Sequence, residues 1–179
     1  MTRTAKIYGE ALYDLAAEAS RTEQILQEMT ILSEAFAQEP EYIYLLATPS
    51  LSKEERCGIL DNSFRGKIDE YLLNFLKILC ENGTIRQFSG CTREFRRRYN
   101  ADKGILEVCA VTAVPMNAQL QEKLRARLCE VTGKSVDLSC RVDPACLGGV
   151  RLEMDGEQMD GTVQGRLDAM RGVLAQTVL

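Results

Sequence analysis

Through the first hundred residues, apolar side chains return every three or four positions and rarely alternate. That is the spacing of helices that bury one face. Ile7, Ala11, Leu12, Leu15 and Ala19 make a first stripe, and Ile25, Met29, Leu32 and Phe36 a second. Pro40 and Pro49 bracket a short third helix around Tyr42 to Ala47, since proline can start a helix but interrupts its interior. Ser52-Lys53-Glu54-Glu55 has capping-box spacing and opens a fourth helix, expected to end near Gly66. Residues 68–82 supply a strongly apolar fifth helix with Ile68, Leu72, Phe75, Leu76 and Leu79, stopped by Asn82-Gly83. Ile85, Phe88, Thr92, Phe95 and Tyr99 mark a sixth. Six helices joined by short turns predict a compact bundle.

The pattern changes after Asp102-Lys103-Gly104. Residues 105–114 are rich in β-branched side chains and stop at Pro115, which predicts a strand. Asn117 can cap a helix bearing Leu120, Leu124, Leu128 and Val131, with Gly133 just past its end. Val136, Leu138, Cys140 and Val142 then alternate with Asp137, Ser139, Arg141 and Asp143, as in a half-buried strand. Val150, Leu152 and Met154 form a third strand, and Asp155-Gly156 turns the chain toward Gln158-Met159, in position to pair back as a hairpin. Thr162 is placed to cap a final helix whose stripe is Val163, Leu167, Met170, Leu174 and Val178 and which is expected to cover the sheet. The fold class is therefore α+β: a six-helix bundle over residues 1–104, then a small β-α-β-β-α domain over residues 105–179, hinged near residue 103.

Composition narrows the function classes. Residues 1–100 hold 13 basic and 15 acidic groups and residues 101–179 hold 9 and 11, so neither half carries a basic nucleic-acid footprint. Aromatic content of 6% without Trp argues against base stacking. No apolar run approaches the length of a membrane span, and the start of the chain has neither an apolar signal core nor the character of a transit peptide. A cytoplasmic location is expected. The seven cysteines show no CxxC pair and, with no His in the chain, no mixed zinc site. They are expected to be small buried hydrophobes.

Candidate chemistry is sparse. Leu147-Gly148-Gly149 and Gly161-Thr162-Val163-Gln164-Gly165 are glycine-rich, but neither is a GxGxxG or Walker A phosphate loop. Without His, imidazole bases, His-dependent triads and His-containing zinc sites are excluded. Asp155 and Asp160 are a possible carboxylate pair, although both lie in turns. Arg93, Arg96, Arg97 and Arg98 form the one local charge concentration, expected to be a solvated face or a contact for an acidic partner. No metal or cofactor is expected. The most apolar helix pair is the first (Tyr8, Ala11, Leu12) with the fifth (Phe75, Ile78, Leu79), and Ile78 lies off the main stripe as an outward anchor would. These residues can fill the core or line a groove for a partner's helix.

Three blocks, in order, resemble the ATP synthase delta subunit family, relatives of the mitochondrial oligomycin-sensitivity-conferring protein. The first is Tyr8-Gly9-Glu10-Ala11-Leu12 after a basic start. The second is Asn74 through Gly83, ending Glu-Asn-Gly. The third runs from Cys140 through Gly148-Gly149-Val150 to Asp160-Gly161-Thr162-Val163-Gln164-Gly165-Arg166-Leu167. Two departures stand out: Gln164 replaces a basic residue and Met159 a β-branched one.

The resemblance implies a non-catalytic connector that ties the catalytic head of a proton-translocating rotary ATP synthase to its peripheral stalk and resists torque. It implies that an alpha subunit's N-terminal helix lies between helices one and five, against Tyr8, Ala11, Leu12, Phe75, Ile78 and Leu79. It also implies that the C-terminal ends of the stalk's b subunits meet the second domain, placed here on Leu147, Gly148, Gly149, Asp160, Gly161, Arg166 and Leu167. Nucleic acid is not a partner, and the membrane is reached only through the complex, on the cytoplasmic face of a bacterial cell. The competing readings are a generic helical adaptor and a small enzyme using Cys or carboxylate chemistry.

Overall fold

A computed structural model describes residues 2–48, 51–146, 148–154 and 157–161. The chain divides into two units, Met1–Tyr99 and Asn100–Leu179.

In the first unit each helix starts or stops where local chemistry dictates. Helix α1 (Arg3–Glu18) begins at Thr2, whose hydroxyl accepts from the Ala5 amide. Ser20, at φ 56°, reverses the chain into α2 (Thr22–Gln38). Pro40 opens α3 (Pro40–Ala47) at a position where no N–H is needed. The capping box of α4 (Lys53–Phe64) is complete: the Glu55 amide donates to Ser52 Oγ at 3.1 Å, and the Ser52 amide to Glu55 Oε2 at 2.8 Å. Helix α5 (Glu70–Glu81) starts later than its apolar pattern suggests, because the Asp69 side chain caps it through the Tyr71 amide. It ends as expected at Asn82, where Gly83 takes φ 67° and the Thr84 amide reaches back to the Leu79 carbonyl at 2.8 Å. After a 3-10 turn (Ile85–Gln87), α6 runs from Phe88 to Lys103.

Leu12, Ile25, Met29, Leu46, Leu60, Leu72, Leu76, Phe88 and Phe95 fill the core. Phe36 anchors an aromatic cluster, stacked on Tyr42 at 5.8 Å and edge-on to Phe88 at 5.4 Å. Of the stripe read from its sequence, helix α1 fully buries only Leu12. Its buried positions are Ala5, Gly9, Leu12, Tyr13 and Ala16, whereas Ile7 and Leu15 are 55% and 50% exposed. Small residues let α1 approach α6 closely. A Cβ on Gly9 would lie 2.8 Å from the Cys91 carbonyl oxygen and 2.8 Å from Glu94 Cβ, and one on Gly90 3.0 Å from Ala5 Cβ.

The second unit holds a four-stranded mixed sheet in the order β2-β1-β3-β4. Strands β1 (Ile105–Thr112) and β2 (Ser135–Val142) pair in parallel through the crossover helix α7 (Ala118–Thr132). Strand β3 (Val150–Met154) runs antiparallel to β1, and β4 (Glu157–Asp160) pairs back on it with Leu152 opposite Met159. The expected hairpin is present, and it adds a fourth strand to the three expected. Asn117 caps α7 through the Leu120 amide, and Gly133 ends it at φ 67°. Strand β2 is only partly buried: Val136 is covered and Leu138 half-buried, but Cys140 and Val142 are exposed, because β2 is an edge. No α7 residue is fully buried. The final helix expected from Val163 to Val178 lies outside the described residues.

Two glycines provide a paired test of the packing. Gly9→Ala is expected to destabilise the protein by about 1–3 kcal/mol through overpacking. Gly58→Ala, in α4 with nothing within 4 Å of the new Cβ, is expected to stabilise it by up to about 1 kcal/mol through helix propensity. Urea denaturation of the two variants checks the opposite signs.

Candidate functional site

Helices α1 and α5 pack together in the first unit. Two polar contacts fix their alignment. The Asn82 side-chain amide donates to the Tyr8 hydroxyl at 3.1 Å, joining the first turns of α1 to the end of α5. At the opposite end, Arg21 Nη1 donates to Asp69 Oδ2 at 2.8 Å, tying the residue after the α1 turn to the cap of α5. Asp69 is itself buried, and its amide donates to Glu28 on α2 at 2.7 Å. Arg21 raises no catalytic possibility: its guanidinium lies over the Tyr71 ring at 5.9 Å and stays charged, its pKa raised by Asp69.

Between these contacts the two helices leave apolar surface uncovered. Ile7, Ala11 and Leu15 stand along one face of α1, one helical turn apart. Tyr71 and Ile78 are 41% and 45% exposed on α5. Half-buried Tyr8 packs edge-on to Phe75 with ring centroids 6.4 Å apart, joining the two helices. Of the residues named from the sequence, Tyr8, Ala11 and Ile78 reach the surface. Leu12, Phe75 and Leu79 are buried, and their apolar bulk supports the core below. Ile7, Leu15 and Tyr71 extend the exposed strip beyond the residues named from the sequence. The signal for Ile7 and Leu15 was a row at i, i+4 and i+8 that runs beside the row of small buried residues, not within it.

In the second unit, Gly148 and Gly149 precede β3 and Asp160-Gly161 end β4, and the hairpin brings the two pairs together. The Gly161 amide donates to the Val150 carbonyl at 3.1 Å. A Cβ on Gly161 would lie 3.0 Å from that oxygen, which accounts for glycine there. Leu147, Asp155, Arg166 and Leu167 lie outside the described residues. Asp160 is exposed at the end of β4.

The thiols are not uniformly buried, contrary to expectation. Cys80, Cys91 and Cys146 are buried, Cys57, Cys109 and Cys129 half-buried, and Cys140 exposed on the edge strand. Burial pushes the Cys80 and Cys91 thiols up to about 11, so both are protonated near neutrality and poor nucleophiles. Cys57 is also shifted upward, first by burial and then by Glu81.

The ATP synthase delta (OSCP) subunit profile matches residues 4–174. The chain belongs to the ATP synthase delta (OSCP) subunit family. It is 33% identical to ATP synthase subunit delta of Alkaliphilus metalliredigens over 175 residues, covering 98% of this chain and 97% of that one. ATP synthase subunit delta of Alkaliphilus oremlandii is 29% identical over the same shares of each chain. The fold of this chain is similar, with a TM-score of 0.79 and 18% identity over 98% of both chains, to a chain in the cryo-EM structure of the Toxoplasma gondii mitochondrial ATP synthase hexamer. As a delta-family chain it is a non-catalytic stator component of the ATP synthase. Among the described residues, no helix is long and apolar enough to cross a membrane.

Alkylation of the native delta-family chain at pH 8 is expected to modify Cys140 first. Cys80 and Cys91 should react only after denaturation, as read by mass spectrometry of the labelled peptides. Prompt labelling of either buried thiol in the native protein would contradict the burial described.

Proposed function

We propose that the α1–α5 face of this chain receives the N-terminal helix of an ATP synthase alpha subunit, and that the C-terminal unit engages the C-terminal helices of the peripheral-stalk b subunits. On this reading the N-terminal six-helix bundle is the head-binding domain, the following α/β domain is the stalk-binding one, and the chain works at the cytoplasmic face of a bacterial membrane. It resists torque by holding head and stalk together.

One observation supports the first contact: the strip of Ile7, Ala11, Leu15, Tyr71 and Ile78 left open between two latched helices. An amphipathic helix places apolar side chains at i, i+3, i+4 and i+7, which suits a strip of this kind. Burying an isoleucine in such a contact contributes about 1.5–3 kcal/mol. The second contact is assigned to the hairpin end at Gly148, Gly149, Asp160 and Gly161 and to Leu147, Arg166 and Leu167, on the strength of the family resemblance.

Calorimetric titration of the full chain with a peptide of the alpha subunit's N-terminal helix, from the same host, tests the head contact. Saturable one-to-one binding is expected, weakened by at least roughly tenfold in Ile78→Asp, since about 1.4 kcal/mol is tenfold in affinity. Because Ile78 is exposed, its substitution should leave the thermal midpoint nearly unchanged. Absence of binding to the folded chain, or full affinity in the variant, would remove the alpha helix from this face.

A further inference from the structure

The arginine cluster of α6 is split by the fold. Arg98 is committed to α1, pairing with Glu10 at 3.0 Å and Asp14 at 3.5 Å. Arg97 closes on the buried carboxylate of Glu94. Arg93 and Arg96 instead line a separate trough between α2 and α6, away from the α1–α5 face. Arg96 crosses it to donate to the Thr30 hydroxyl at 2.8 Å, and Arg93 is exposed at its rim.

The trough continues past Ser33 and Ser89, which belong to both of its parts, into an apolar cleft. That cleft holds about 300 Å³ and is walled by Phe36, Ile43, Ile85 and Phe88. Tyr44 stands at its mouth, 60% exposed, with the Arg86 guanidinium over its ring at 5.3 Å. The polar part holds about 350 Å³.

We propose that this trough is a docking site for an acidic amphipathic helix of a partner protein in the assembled ATP synthase. Three features favour that occupant. Among the described lining residues Arg86 and Arg93 stand at the rim and Glu34 is the one carboxylate, so the local field favours an acidic segment although the chain as a whole is acidic. Ser33, Ala37 and Ser89 are small, which permits another helix backbone to come close. Finally, Thr30, Ser33 and Ala37 span about 10 Å of α2 at i, i+3 and i+7, matching two turns of a bound helix. The partner's apolar side chain would enter beside Tyr44, and its carboxylates would meet Arg86 and Arg93.

A photo-crosslinking amino acid in place of Ala37, in purified assembled ATP synthase, tests this surface. The expected product joins Ala37 to a helical segment with at least two carboxylates within two turns. Arg86→Glu with Arg93→Glu should cut the yield at least fivefold, and Arg86→Gln with Arg93→Gln should cut it less. Crosslinking from position 78 in the same particles should be unaffected, which separates this surface from the α1–α5 face. Failure to crosslink in intact particles, a product with a basic or uniformly apolar segment, or a yield indifferent to charge reversal would each overturn the proposal.

Discussion

A helix that keeps an apolar row exposed and also belongs to a core has to divide its circumference between the two, and α1 does so through the size of its buried residues. Ala5, Gly9 and Ala16 bring its backbone close to the rest of the bundle, with Gly9 against Cys91 and Glu94 of α6. The buried stripe is consequently narrow and built largely from small side chains. Ile7, Ala11 and Leu15 are left facing outward. Had α1 buried its larger aliphatic residues instead, Gly9 would have no reason to be glycine and the exposed strip would vanish.

The polar contacts follow from the same geometry. Helices that meet through small residues gain little from interlocking side chains, so their alignment along the axis needs other restraints. Arg98 reaching Glu10 and Asp14 supplies one between α6 and α1. Tyr8 with Asn82, and Arg21 with Asp69, supply two more at opposite ends of the α1–α5 pair. Exposed ion pairs contribute little stability on average. Their effect here is on position: they hold two exposed apolar rows in one register. The Tyr-Gly-Glu-Ala-Leu and Glu-Asn-Gly segments, far apart in sequence, thus meet across a single hydrogen bond.

Much of the fold was legible because its boundaries are set by local chemistry. The Ser52–Glu55 box, the Asn82-Gly83 stop and the Asn117 and Gly133 ends of α7 each depend on residues within one turn. What the sequence left hidden depends on neighbours. Asp69 delays α5 past Ile68 by capping it through the Tyr71 amide, while Arg21 from the turn between α1 and α2 pairs with the same carboxylate. The alternation of β2 is regular from Val136 to Val142, yet it does not say that β2 lies at an edge where Cys140 and Val142 stay exposed. The α1 stripe merged two adjacent rows because hydrophobicity alone ranks Ile7 above Gly9, while packing reverses that order. For Leu12, Phe75 and Leu79 the pattern left core and groove both open and the structure buries them, whereas Ile78, out of phase with the α5 stripe, is exposed.

A stator carries a sustained load, and that constrains the kind of contact that suits it. A polar contact exposed to water exchanges with solvent and is screened by salt. An apolar anchor seated between two helices separates only when its whole buried area is rehydrated at once. The exposed apolar residues of the α1–α5 face, Ile7, Ala11, Leu15, Tyr71 and Ile78, suit a contact of that kind. The α2–α6 trough differs, with arginines at its rim and a smaller apolar cleft at one end, and so favours charge selectivity and orientation over holding strength. Two surfaces of unlike character on one set of helices would let a single domain grip one element firmly while orienting another, an arrangement that suits resistance to rotation.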